Sequence, residues 1–135
     1  MTAGDVMTPD PETVTPEATL SDAWDLMRER GVRHVPVVKE DGALVGMLSD
    51  RDLLFSAAEE RLELGRSRLE VPVVEVMSAD VLVVEPETEL SEVVSIILEA
   101  RVGAVPVVRA GTREVVGIVS YVDVLRAAQE LFEEE

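Results

Sequence analysis

The sequence predicts an α+β fold made of two pseudo-twofold-related β-α-β-β-α units packed sheet to sheet. Two observations carry this. The stretch from Val6, "VMTPDPETVTPEATLSDAWDLMRERGVRHVPVV", lies without a gap over the stretch from Val76, "VMSADVLVVEPETELSEVVSIILEARVGAVPVV", and "LVGMLSDRDLL" lies over "VVGIVSYVDVL" after one extra residue in the second turn. Each copy also switches between helical periodicity and short β-rich apolar runs, the mark of a mixed unit repeated once. A single copy of about 55 residues has too small a core to be secure alone, so the two are expected to pack together.

Within each copy the elements follow in order. A short extended piece, "ETVTP" or "VLVVEP", leads into a helix with apolar residues at three- and four-residue steps: Leu20, Ala23, Trp24 and Met27 in the first copy, Leu90, Val93, Val94, Ile97 and Leu98 in the second. Thr19 or Ser21 caps the first of these helices and Gly31 ends it. Trp24 is expected in the core or at a dimer face. Two β-rich runs come next, "HVPVV" and "LVGML" around the turn "KEDGA", then "AVPVV" and "EVVGIV" around "RAGT". A second helix closes each copy, with Leu53, Leu54, Ala57 and Ala58, or Val124, Leu125, Ala128 and Leu131, on its buried side. The expected boundaries are 1–59 for the first unit, 60–72 for a connection that starts helical and breaks near Gly65 and Pro72, and 73–135 for the second unit. The acidic end "ELFEEE" is expected to finish a helix and fray.

Composition narrows the function. The 28 acidic and 12 basic residues give a formal charge of −16, which repels the phosphate backbone and argues against direct nucleic-acid binding. No cysteine is present, which removes disulfides, thiolate zinc sites and cysteine nucleophiles. With one histidine, His34, a two-histidine metal site within the chain is impossible, and no metal site is expected. No apolar run is long enough for a membrane span and the polar start is not a signal peptide, so a cytoplasmic protein without membrane contact is expected. Met7, Met27, Met47 and Met77 read as core or cleft lining.

Ser49-x-x-Asp52 and Ser120-x-x-Asp123 open the last helix of each copy. Serine is a favoured N-cap, and an aspartate three residues on suits the positive end of the helix dipole, so both read as caps. A carboxylate there also has the acceptors to take both hydroxyls of a ribose, and the helix start offers N–H groups to phosphate. The two roles are compatible.

The doubled pattern of "VM-T/S", "P-V-V" and "G-h-h-S-x-x-D" resembles a pair of CBS domains, the Bateman module. The resemblance implies a regulatory module that binds an adenine nucleotide (AMP, ADP or ATP) or S-adenosylmethionine in clefts between the units, forms a homodimer and adjusts a partner protein that the sequence does not identify. Carried over residue by residue, it implies a principal cleft of Arg33, His34, Met47, Ser49 and Asp52 from the first unit, with Ser78, Val102, Gly103 and Ala104 from the second. Arg33 and His34 would meet phosphate, and the small Gly103 and Ala104 would border adenine. A poorer secondary cleft would use Ser120 and Asp123, where the basic pair is replaced by Gly103 and Ala104. Against the acidic field, a polyanion would need Arg33, His34 and Arg51 around it, or a bridging magnesium ion. The alternative is a ligand-free dimeric scaffold in which the four Ser and Asp residues only cap helices. An enzyme is not expected, because no nucleophile-base pair is legible and no residue is assigned a catalytic role.

Overall fold

A computed structural model describes residues 1–62 and 70–134, with side chains described for 1–56 and 70–134. The elements are α1 (Ala3–Val6), β1 (Thr8–Pro9), α2 (Leu20–Arg30), β2 (His34–Val38), β3 (Leu44–Ser49), α3 (Asp50–Leu62), a 3-10 turn at Val73–Glu75, α4 (Leu90–Ala100), β4 (Ala104–Val108), β5 (Val115–Ser120) and α5 (Tyr121–Glu133). The chain is therefore α+β with small antiparallel sheets, β2-β3 in one and β1-β5-β4 in the other. The expected break near Gly65 lies outside the described residues.

The compact units do not run in chain order. One consists of Glu12–Val81, and the other of Met1–Pro11 with Leu82–Glu135. They are called the first-repeat and second-repeat units below. The lead-in of each repeat thus belongs to the body of the other. In the first-repeat unit, Leu20 N–H donates to Val71 O at 3.0 Å and Val73 N–H to Ala18 O at 2.7 Å. In the second-repeat unit the same bonds recur at equivalent residues, Leu90 N–H to Met1 O at 2.9 Å and Ala3 N–H to Thr88 O at 2.8 Å.

A required close approach accounts for one glycine in each repeat. A Cβ on Gly46 would lie 2.5 Å from Met77 Sδ and 2.7 Å from Ser78 O, and one on Gly117 would collide with Met7 Sδ and lie 3.2 Å from Thr8 O. At Gly46, where the backbone carbonyl of Ser78 is in the way, only a residue without Cβ lets the lead-in lie this close to the last strand; at Gly117 the nearest atom is the flexible end of Met7 and the constraint is looser. Met7 and Met77 pack there as the gap-fillers their sequence positions suggested.

The first-repeat core gathers Leu20, Ala23 and Met27 of α2, Val35 and Val37 of β2, Leu48 of β3 and Leu53 of α3, closed by Val71 and Val73. The second-repeat core gathers Ala3, Val84, Val93, Val105, Val107 and Val119. Each large aliphatic side chain removed from water in this way contributes about 1.5–3 kcal/mol. Thr19 caps α2, accepting from Asp22 N–H at 3.1 Å, while Asp22 accepts from Thr19 N–H at 3.0 Å. Gly31 ends the helix in the left-handed region at φ 65°. Arg101 stands at the equivalent end of α4 at φ 56°, in a conformation that favours glycine.

Several expectations are corrected. "ETVTP" and "VLVVEP" form single parallel bridges, Val14 to Val37 and Val84 to Val107, rather than strands; Val14 is the one apolar residue of the first besides its proline, and in the second Leu82 turns to solvent while Val84 is buried. The short α1 and β1 were not anticipated. Of the two places expected for Trp24, its 39% exposure removes the core and leaves the dimer face, and Leu54, Leu98, Leu125 and Leu131 are exposed. Those helices carry apolar stripes wider than the face their own sheet covers.

Candidate functional site

Six of the expected principal-site residues lie in one unit, around the point where β3 runs into α3. His34 opens β2 opposite Ser49, the last residue of β3. Asp50 N–H donates to Arg33 O at 2.9 Å, so the start of α3 is tied to the residue before β2. Met47 and Ser78 exchange two backbone hydrogen bonds of 2.9 Å, which bring the exposed Ser78 onto the edge of the same hairpin. Asp52 Oδ2 accepts from Ser49 N–H at 2.8 Å and Ser49 Oγ at 3.1 Å, while Asp52 N–H donates to Ser49 Oγ at 3.3 Å. Ser49-x-x-Asp52 is therefore a capping box, and one carboxylate oxygen, Oδ1, is left over from it.

The electrostatics of this half-site centre on His34. Half-buried, its imidazole is held below the ordinary value chiefly by burial, with Arg33 pushing the same way and Asp50 and Asp52 opposing. It is neutral at pH 7 and has carboxylates near enough to support a charge once an anion arrives. Asp50 and Asp52 N–H are already engaged, the one by Arg33 O and the other by Ser49 Oγ, so an anion depends more on Arg33 and His34 side chains than on helix amides.

The remaining candidates lie in the second-repeat unit. Ala104, buried, pairs with Ser120, and Tyr121 N–H donates to Gly103 O at 3.0 Å; Val102 beside them is exposed. Asp123 Oδ2 accepts from Ser120 N–H at 2.8 Å and Ser120 Oγ at 3.1 Å, the same box as in the other unit. Asp123 differs in being buried and in lying 3.6 Å, through Oδ1, from Arg126 Nη1. Sequence reading missed two features here. Thr8 pairs with Ile118 as Ser78 pairs with Met47, which the repeat alignment already implied. The Arg126 contact was visible only as an acid and a base three residues apart.

Among the described residues, no group of three or more His, Asp or Glu is placed to hold a metal ion, and no helix is long and apolar enough to cross a membrane.

The CBS domain model matches twice, at residues 3–59 and 73–130. The chain belongs to the CBS domain family. It is 34% identical over 119 residues to the CBS domain-containing protein YhcV of Bacillus subtilis, covering 88% of this chain and 79% of that protein. It is 31% identical to the chloroplastic CBS domain-containing protein CBSX1 of Arabidopsis thaliana, over 96% of this chain and 65% of that protein. The chain thus spans just under two thirds of CBSX1. The crystal structure of CBSX2 in complex with AMP superposes with a TM-score of 0.83 at 33% identity, over 96% of this chain and 97% of that one. Enzymes among the CBS relatives, such as an A-adding tRNA nucleotidyltransferase of Aquifex aeolicus, match over 14% of their length in that case, through their CBS part.

Proposed function

We propose that this CBS pair is a regulatory module that senses an adenine nucleotide (AMP, ADP or ATP) or S-adenosylmethionine and changes the surface shown to a partner protein. The observation that carries the reading is Asp52 at the start of α3 with Arg33 and His34 beside it, one acceptor oxygen spare and a neutral imidazole ready to take a proton. The AMP complex of a protein 33% identical supports the choice of ligand class. Asp52 Oδ1 accepts the ribose hydroxyls, and Arg33 and His34 meet the phosphate. Val102, Gly103 and Ala104 bordering the base, and Ser120 with Asp123 serving a weaker second site, belong to the same proposal. Arg33 favours a nucleotide phosphate over the sulfonium of S-adenosylmethionine. Among the described residues no group of three or more His, Asp or Glu is placed to hold a magnesium ion, so one arriving with a nucleotide would be held by the phosphates and water.

A ligand regulates only by binding one conformation better than another, so the proposal requires that difference. Homodimerisation is part of it: Tyr121, Leu125 and Phe132 are exposed within one narrow stripe of α5, an apolar face fit for a second copy. Light scattering that gives a monomer at micromolar concentration removes this part.

Titration calorimetry with AMP, ADP, ATP and S-adenosylmethionine tests the whole. Saturable heat with at least one, lost in Asp52→Ala, is expected. No heat and no thermal shift with any of the four leaves the dimeric scaffold, with Ser49, Asp52, Ser120 and Asp123 acting as caps, as the standing reading.

A further inference from the structure

The two capping boxes match in every distance, yet their aspartates differ in what remains to them. In both, Oδ2 takes two donors from its serine, which uses its lone pairs. Any vicinal diol must then be met by Oδ1. On α5, Arg126 Nη1 stands 3.6 Å from Oδ1 of Asp123, whose side chain is only 9% exposed. One turn after Asp52 the equivalent residue is Phe55, exposed and unable to donate, and Asp52 has no ion-pair partner among the described residues.

We infer that Arg126 sets the selectivity between the two half-sites, masking the one acceptor of Asp123 left for a ribose while Phe55 leaves Asp52 open. This rests on the proposed reading of Asp52 as a ribose acceptor. The mask lies within a single helix and needs no other element to hold it: residues i and i+3 share a face, and the guanidinium, an ion-pair neighbour at 3.6 Å rather than a hydrogen-bond donor, stands over the oxygen that a diol would use. The pair is partly solvated, so it weakens a diol contact rather than abolishing it.

Exchanging the two residues tests it with AMP and with adenosine, which lacks the phosphate, by calorimetry on the full chain. Phe55→Arg is expected to weaken both ligands at the principal site about five-fold, the effect of an added ion pair of this kind. Simple attraction by a new cation would instead tighten AMP and leave adenosine unchanged, and that result overturns the inference. Arg126→Phe in an Asp52→Asn background is expected to tighten residual binding of both ligands about five-fold. Weaker AMP binding in this variant would mean that Arg126 serves as a phosphate contact, again overturning it. Thermal melts of each variant, expected near wild type because both positions are solvent-facing, guard against misfolding. If the wild-type chain binds neither ligand, the sensing reading falls and takes this inference with it. If the wild type binds and Phe55→Arg binds equally well, only the inference falls.

Discussion

The first-repeat and second-repeat units hold the same backbone device in different chemical company. Both join a two-stranded ladder to a helix through a Ser-x-x-Asp box with matching bonds of 2.8, 3.1 and 3.3 Å. Around the first stand Arg33, His34 and Phe55; around the second, Gly103, Ala104 and Arg126. Duplication kept what folding needs at these positions. Divergence fell on residues whose backbones make the same bonds whatever side chain they carry, which is where a binding preference changes at little cost to the fold.

The largest expected contrast is at the close-packed glycines. Gly46→Ala forces Cβ against the backbone carbonyl of Ser78 and should lower stability by about 2–3 kcal/mol. Gly117→Ala meets chiefly the flexible end of Met7 and should cost about 1 kcal/mol. Urea unfolding of the two variants measures the gap, and equal losses would show that the two lead-ins fit equally tightly.

Next come the aspartates. Asp52→Ala should weaken nucleotide binding about 10- to 150-fold, the loss of a charged acceptor, whereas Asp123→Ala should leave the principal site within about two-fold. Both should lose about 1 kcal/mol of stability as caps. Equal binding losses would erase the functional distinction between the units.

Smaller again is the left-handed position that ends the first long helix of each repeat. Arg101→Gly should stabilise by up to about 1 kcal/mol, while Gly31→Arg should destabilise by a similar amount, read from melting temperatures.

The smallest effect is one of pH. Burial holds the folded His34 below its ordinary value near 6.5, so on acidification the unfolded chain takes its proton first. The contribution is therefore intact above about pH 6.5 and is lost as pH falls from there towards the lowered folded value. The drop in urea midpoint between pH 7.5 and 5.5 should be smaller in His34→Gln than in wild type. Ala104 occupies the equivalent place in the second-repeat unit, so no matching term arises there.

Much of the fold is legible in the sequence. The repeat, the strands "HVPVV" and "LVGML", the Thr19 cap and the Gly31 stop are local signals, written in adjacent residues, and the structure contains them all. The exchange of lead-ins was not legible, because Met7 and Met77 face equivalent glycines and either pairing satisfies the same pattern. The exposure of Leu54, Leu98 and Leu125 was equally hidden, since periodicity reports which face of a helix is apolar and not how much of it a neighbour covers. At the candidate site, Arg33 and His34 stood out against Gly103 and Ala104 by alignment alone. Arg126 did not, because a base one turn after an acid on a helix usually marks an ordinary surface pair.

The crossed lead-ins also bear on how such a chain descends from one ancestral copy. A lone repeat would carry a lead-in suited to a partner and a strand waiting for one, so two separate chains trading segments would complete each other. Fusion of the gene to itself turns that trade into an internal one. Thereafter neither half can be deleted without stripping the other of Met7 or Met77, and the duplication works as a ratchet.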